Sequence, residues 1–183
     1  MSTPPDTAAP RRKAKLAGVF YLITFVTGGY ALFDRSSLGM VAGLVAGSSY
    51  VVVTVLLYFI LKPVSRPLSL IAAIVSLLGC SIGPLSMVVT LPGQPNNISL
   101  VCFGVYCLLL GYLIFRSTFL PRVVGALVGI AGLGWLTFAS PALARDLFPY
   151  VLLPGMIGEG ALMLWLLIFG VDGEKWIALA TPR

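Results

Sequence analysis

Few residues in this chain could do chemistry. Glu159 is the single charged residue inside any of its six long apolar runs. It lies eight residues past Val151, about 12 Å along a helix that rises roughly 1.5 Å per residue. An ionisable group at such depth is costly and faces the interior of a bundle. By default it marks a site that handles a proton or a ligand. No Lys, Arg or His stands at its level to pair with it. Depth counting along the other runs brings hydroxyls to the same layer. The candidate mid-membrane polar site is therefore Glu159 with Tyr106, Ser81, Ser49 and Thr27. The bland alternative is a carboxyl acting as interhelical hydrogen-bond glue, worth about 0.6 kcal/mol per pair on average.

No catalytic set stands beside it. Without a histidine there is no Ser-His-Asp arrangement, and GVDG at 170–173 and GLVAG at 43–47 lack the strand-turn-helix context of a phosphate loop. Cys80, Cys102 and Cys107 all sit in apolar runs and form no CxxC pair. They read as small apolar residues, so neither a metal site nor a cofactor is expected.

The elements that must position Glu159 follow from composition. Hydrophobic residues make up 58% of the 183 residues and charged ones 10%, against about 25% charged in soluble proteins. That excludes a water-soluble enzyme, a disordered chain and a nucleic-acid-binding domain. The apolar runs cover 16–33, 38–61, 68–91, 98–115, 123–140 and 151–170. Each is close to the roughly 20 helical residues that cross a bilayer core. Backbone groups in lipid must be satisfied internally, so each run is expected to be helical. The predicted architecture is all-α: six transmembrane helices in one bundle over 15–171, a disordered cytoplasmic tail at 1–14 and a short cytoplasmic tail at 172–183.

The loops set the orientation. Arg11, Arg12, Lys13, Lys15, Lys62, Arg66, Arg116, Arg122, Lys175 and Arg183 fall on one side of such a bundle, and only Arg35 and Arg145 on the other. Ten bases against two is a strong positive-inside signal, so both termini are expected in the cytoplasm. The first four bases abut the first apolar run without interleaved aromatics. They point to anionic lipid headgroups as partners rather than nucleic acid.

Lipid tails are as apolar as leucine, so small residues must help the helices pack. Gly39, Gly43 and Gly47 form a doubled GxxxG, Gly79 and Gly83 a second, and Gly125 and Gly129 a third. These faces pack either within the bundle or against another copy or a partner membrane protein.

Several blocks look familiar together: RKAKLAGVFYLITFVTG at 12–28, LLYFILKPVSRPLSLIAA at 56–73, LLLGYLIFRSTFLPRVVGALVGIAGLGWL at 108–136 and LLPGMIGEGALMLWLLIFGV at 152–171. In them the chain resembles an uncharacterised bacterial membrane family, domain of unknown function 4386. The resemblance implies a multi-helix inner-membrane protein with no assigned activity. The chain departs from the family pattern in a shortened segment between the first two helices. It departs again at Ser76, where the family pattern implies an arginine. The functional expectation is a multi-pass inner-membrane protein that handles a small or lipophilic solute through the Glu159 layer. The alternative is a non-enzymatic scaffold or accessory subunit that associates through its glycine-rich faces. A lipid-modifying enzyme has the least support, because no nucleophile-base pair is visible.

Overall fold

The computed structural model describes residues 7–34, 36–88 and 98–181, with backbone alone for 83–88. It is helical throughout, with no strand among the described residues. The helices are α1 (Ala8–Phe33), α2 (Ser37–Leu61), α3 (Arg66–Val88), α4 (Ile98–Arg116), α5 (Arg122–Leu136), α6 (Pro141–Leu147), α7 (Leu153–Ile168) and α8 (Gly173–Ala180). Five stretches are long and apolar enough to cross a membrane: Ala8–Phe33, Ser37–Leu61, Ile98–Arg116, Arg122–Ala139 and Tyr150–Ile168. The apolar part of α3, Arg66–Ile82, is shorter. Large apolar side chains such as Val26, Leu32, Phe33, Val123 and Leu133 point outward. A surface of this kind suits a multi-pass membrane protein.

The long helices pack as a closed ring in chain order. α1 lies against α2, α2 against α3, α3 against α4 and α4 against α5. α5 then packs on α7, and α7 closes the ring on α1. Leu57, Ile60, Leu110, Leu113, Ile114, Leu162 and Leu166 fill its interior.

Two segments differ from the expectation drawn from composition. Residues 8–14 belong to α1 and not to a disordered tail. Pro10 stands in the first turn, where its missing N–H costs nothing, and Pro10 and Ala14 are buried. The chain after the last long helix, expected only as a short tail, forms a further helix. Gly170 takes a φ of 71°, a conformation glycine adopts without strain, and this turns the chain into α8. Asp172 caps α8 by accepting from the Lys175 N–H. Trp176 Nε1–H donates to the Ile60 carbonyl at 2.8 Å, and the Asp172 N–H donates to the Phe119 carbonyl at 3.3 Å. The start of α1, the end of α2, the α4–α5 turn and α8 thus share one end of the bundle.

The glycines divide by what surrounds them. Gly39 lies against the backbone of Asp34 and serves the tight α1–α2 turn. Gly43 makes only ordinary contact with Ala31, and Gly47 has open space beside it. The expected strip on α2 is therefore not a tight helix seam. Gly79 does pack closely on Cys102 and Ser99 of α4. Gly125 abuts the backbone of Phe115 and Gly111, while Gly129 lies beside Gly111 in the same α4–α5 seam. Gly83 falls among residues whose side chains lie outside the described set.

Candidate functional site

Glu159 sits on α7 with 7% of its surface exposed, and donors from three other helices converge on it. Tyr21 stands halfway along α1 and Tyr50 halfway along α2. The Tyr21 hydroxyl donates to Oε2 at 2.7 Å, and the Tyr50 hydroxyl donates to the same oxygen at 3.1 Å. Trp135, near the end of α5, donates its Nε1–H to Oε1 at 2.7 Å. The Cys107 thiol on α4 also faces the carboxyl. Indole N–H is a donor only, so Oε1 must accept.

Packing holds these donors in place. The Tyr21 and Tyr50 rings meet edge to face at 5.4 Å. Tyr50 makes similar contacts with Phe103 at 5.0 Å and Tyr106 at 6.2 Å. The Trp135 indole lies over Gly155, one turn before Glu159, where a Cβ atom would overlap the ring. A bare backbone at 155 thus lets the indole reach Oε1. Gly158 in turn brings α7 against the Leu127 carbonyl and Ala131 of α5. α7 therefore supplies both the acceptor and the space for one of its donors.

The candidates read from the sequence distribute differently. Tyr106 is fully enclosed beside the cluster, but its hydroxyl does not reach Glu159. It faces Thr54 without a hydrogen bond of good geometry. Ser49 is buried beside Tyr50 on α2 without touching the carboxyl. Thr27 donates to the Ile23 carbonyl at 2.7 Å, and Ser81 to the Leu77 carbonyl at 2.8 Å. Both bonds stay within their own helices. Ser76 is fully buried and bonded to Thr54 at 2.7 Å. Tyr21 and Trp135, which depth counting overlooked, take the direct roles.

A cavity of about 700 Å³ reaches this cluster. Glu159, Tyr50 and Trp135 line its inner end, and Asp34 and Ser36 of the α1–α2 turn line the other. Asp34 follows Tyr21 by 13 residues on the same helix, so the two ends are about 20 Å apart along the helix axis. The walls are apolar or small, with Leu32, Met40, Leu44, Leu100 and Phe103 beside Gly43 and Gly47. The glycines of α2 thus shape a space rather than a seam. At the mouth, Asp34 accepts from the Ser36 N–H at 2.9 Å, the Tyr30 hydroxyl at 2.7 Å and the Ser36 hydroxyl at 2.7 Å. These bonds, the backbone one foremost, hold its carboxyl below the usual range for aspartate. No described residue lining the cavity is basic, and no group of metal-ligating side chains occurs among the described residues.

Residues 86–170 match the model of a family described as domain of unknown function (DUF4386). The resemblance read from the sequence therefore holds over the segment that carries Trp135 and Glu159. A protein of Archaeoglobus fulgidus, described as uncharacterized, is 28% identical over 129 residues, covering 66% of this chain and 76% of that protein. No solved structure matches.

Proposed function

We propose that this chain is a six-span inner-membrane protein that takes a small lipophilic solute into the cavity ending at Glu159. One observation carries the reading: a space of about 700 Å³ with apolar walls and convergent polar groups at one end. Small-molecule sites have this character, with volumes of roughly 300–1,000 Å³. A carboxyl serving only to join helices needs no such space beside it. The scaffold alternative has less support. The glycines it would present are already engaged, since Gly43 and Gly47 line the cavity and Gly125 is enclosed in the α4–α5 seam.

Support for six spans with both termini in the cytoplasm comes from the ten-to-two asymmetry of bases. The shared end formed by the start of α1, the α4–α5 turn and α8 agrees with it. Reporter fusions after Gln94 and after Arg183 are expected in opposite compartments, and matching compartments would remove this topology.

Solute entry is tested at Trp135. In a variant whose other tryptophans, Trp165 and Trp176, are replaced by Phe, the neutral nitroxide TEMPO is titrated while Trp135 emission is followed. Saturable quenching that Gly47→Phe suppresses is the expected result. Quenching that rises without saturation, indifferent to Gly47→Phe, would mean that the solute reaches the indole only through lipid or detergent.

A further inference from the structure

We infer that the cavity selects organic cations, an inference that rests on the solute-handling reading above and names the class of solute. Both ends of the space are acidic. Asp34 stands at the mouth with its carboxyl held ionised by three hydrogen bonds. Glu159 closes the inner end, and neither ion pair among the described residues involves it. No Lys or Arg is among the described lining residues. Among the described residues, an anionic solute would therefore meet two acidic side chains and no basic partner inside largely apolar walls, where charge interactions are poorly screened.

The walls supply the second half of the recognition. Tyr50, Phe103 and Trp135 line the space around the carboxyl. Aromatic faces attract cations through the ring quadrupole, most strongly when both partners are desolvated. The three donors to Glu159 engage its two oxygens from the protein side. They supply hydrogen bonds but no countercharge. A lipophilic ammonium or phosphonium needs no hydrogen bond of its own. It brings a positive charge to a carboxyl already oriented by its neighbours, and its apolar groups fill the walls. The fit is thus to a bulky, permanently or readily charged cation whose apolar groups meet Leu32, Met40, Leu44 and Leu100.

The test uses two ions of nearly one shape and opposite charge, tetraphenylphosphonium and tetraphenylborate. Equilibrium dialysis of each is carried out against the purified full chain in detergent, with empty micelles as background. Saturable binding of the phosphonium, absent for the borate, is expected. Glu159→Gln should weaken phosphonium binding roughly tenfold to a hundredfold, the loss expected for a desolvated charge contact. Asp34→Asn at the mouth should weaken it by a smaller factor. If Glu159→Gln does not fold, the wild-type comparison of the two ions decides alone. Equal binding of both ions, or preference for the borate, overturns the selection of cations while leaving solute handling intact. Saturable binding of neither ion overturns the selection of cations, and the TEMPO titration then decides whether solute handling stands.

Discussion

Gly155→Ala probes the link between helix packing and the carboxyl. A methyl at this position would approach Cε2 of Trp135 to 2.6 Å and Nε1 to 2.9 Å, well inside van der Waals contact. Retreat of the backbone is blocked, because Gly158 already abuts the Leu127 carbonyl and Gly125 and Gly132 lock α5 to α4. The indole must tilt instead, and its N–H leaves Oε1. Overpacking of this kind costs about 1–3 kcal/mol, and the lost bond to a carboxyl about 1.5–3 kcal/mol. The better helix propensity of alanine returns about 1 kcal/mol. A net loss of roughly 2–4 kcal/mol is expected, lowering the apparent Tm in detergent by roughly 5–15 °C. Trp135 emission should also change, since the ring leaves its buried acceptor. A double-mutant cycle separates the causes. Trp135→Phe removes the atoms that the methyl would strike, so Gly155→Ala should cost much less in that background. An equal cost in both backgrounds would refute the argument that Gly155 acts through Trp135.

At the carboxyl itself, Glu159→Leu strands the two tyrosine hydroxyls and the indole N–H and should cost about 2–5 kcal/mol by thermal unfolding. Glu159→Gln should cost about 1 kcal/mol, because its oxygen still accepts from Trp135 while the tyrosine hydroxyls rotate to accept from its amide. On the same helix, Gly160→Ala should stabilise by roughly 0.5–1 kcal/mol, since a Cβ there meets only Phe25 at an ordinary 3.8 Å. Destabilisation at Gly160 would show that α7 tolerates no added bulk anywhere. Asp34 has a depressed pKa in the folded chain, caused first by the Ser36 N–H. Its contribution to stability is therefore complete above the unfolded value near 3.9 and is lost as pH falls through the folded value. Unfolding midpoints followed below about pH 4 should fall less steeply in Asp34→Asn than in the wild-type chain.

The helical class and the position of Glu159 were legible in the sequence because each rests on a one-dimensional signal. Apolar runs of membrane length read as helices, and one acid within them is conspicuous. Two of its partners, Tyr21 and Trp135, were not legible, for reasons that can be named. Counting depth from Leu16 put Tyr21 near the edge of the first span, whereas α1 begins at Ala8 and moves Tyr21 to its middle. Contact between residues 7–11 and the segment 170–173 sets that start, and composition carries no trace of it. Trp135 carries its donor at the end of an indole, which spans more than the helix rise per residue, so depth counted along the backbone misses it. Spacing located the glycine seams only in part, finding Gly79 and Gly125 but placing a seam on α2 where none forms. Pairs at i, i+4 drew attention to α2 as well as to α3 and α5, while the most extensive helix contact runs through Gly104 and Gly111 on α4 and Gly125 and Gly132 on α5. Both pairs repeat at seven residues, two helical turns on one face, and that period was the available signal.

The closed ring also orders the events of synthesis. α1, α2 and α5 leave the ribosome before α7, so Tyr21, Tyr50 and Trp135 are in place before their common acceptor exists. An acidic residue in the middle of a helix opposes partition into lipid when the helix enters alone. Here the entering helix meets three waiting donors, and the bonds they offer lower that barrier at the moment of closure. A chain truncated before residue 159 leaves two phenols and an indole without their common acceptor. The carboxyl that lines the cavity thus also arrives with the helix that closes the ring.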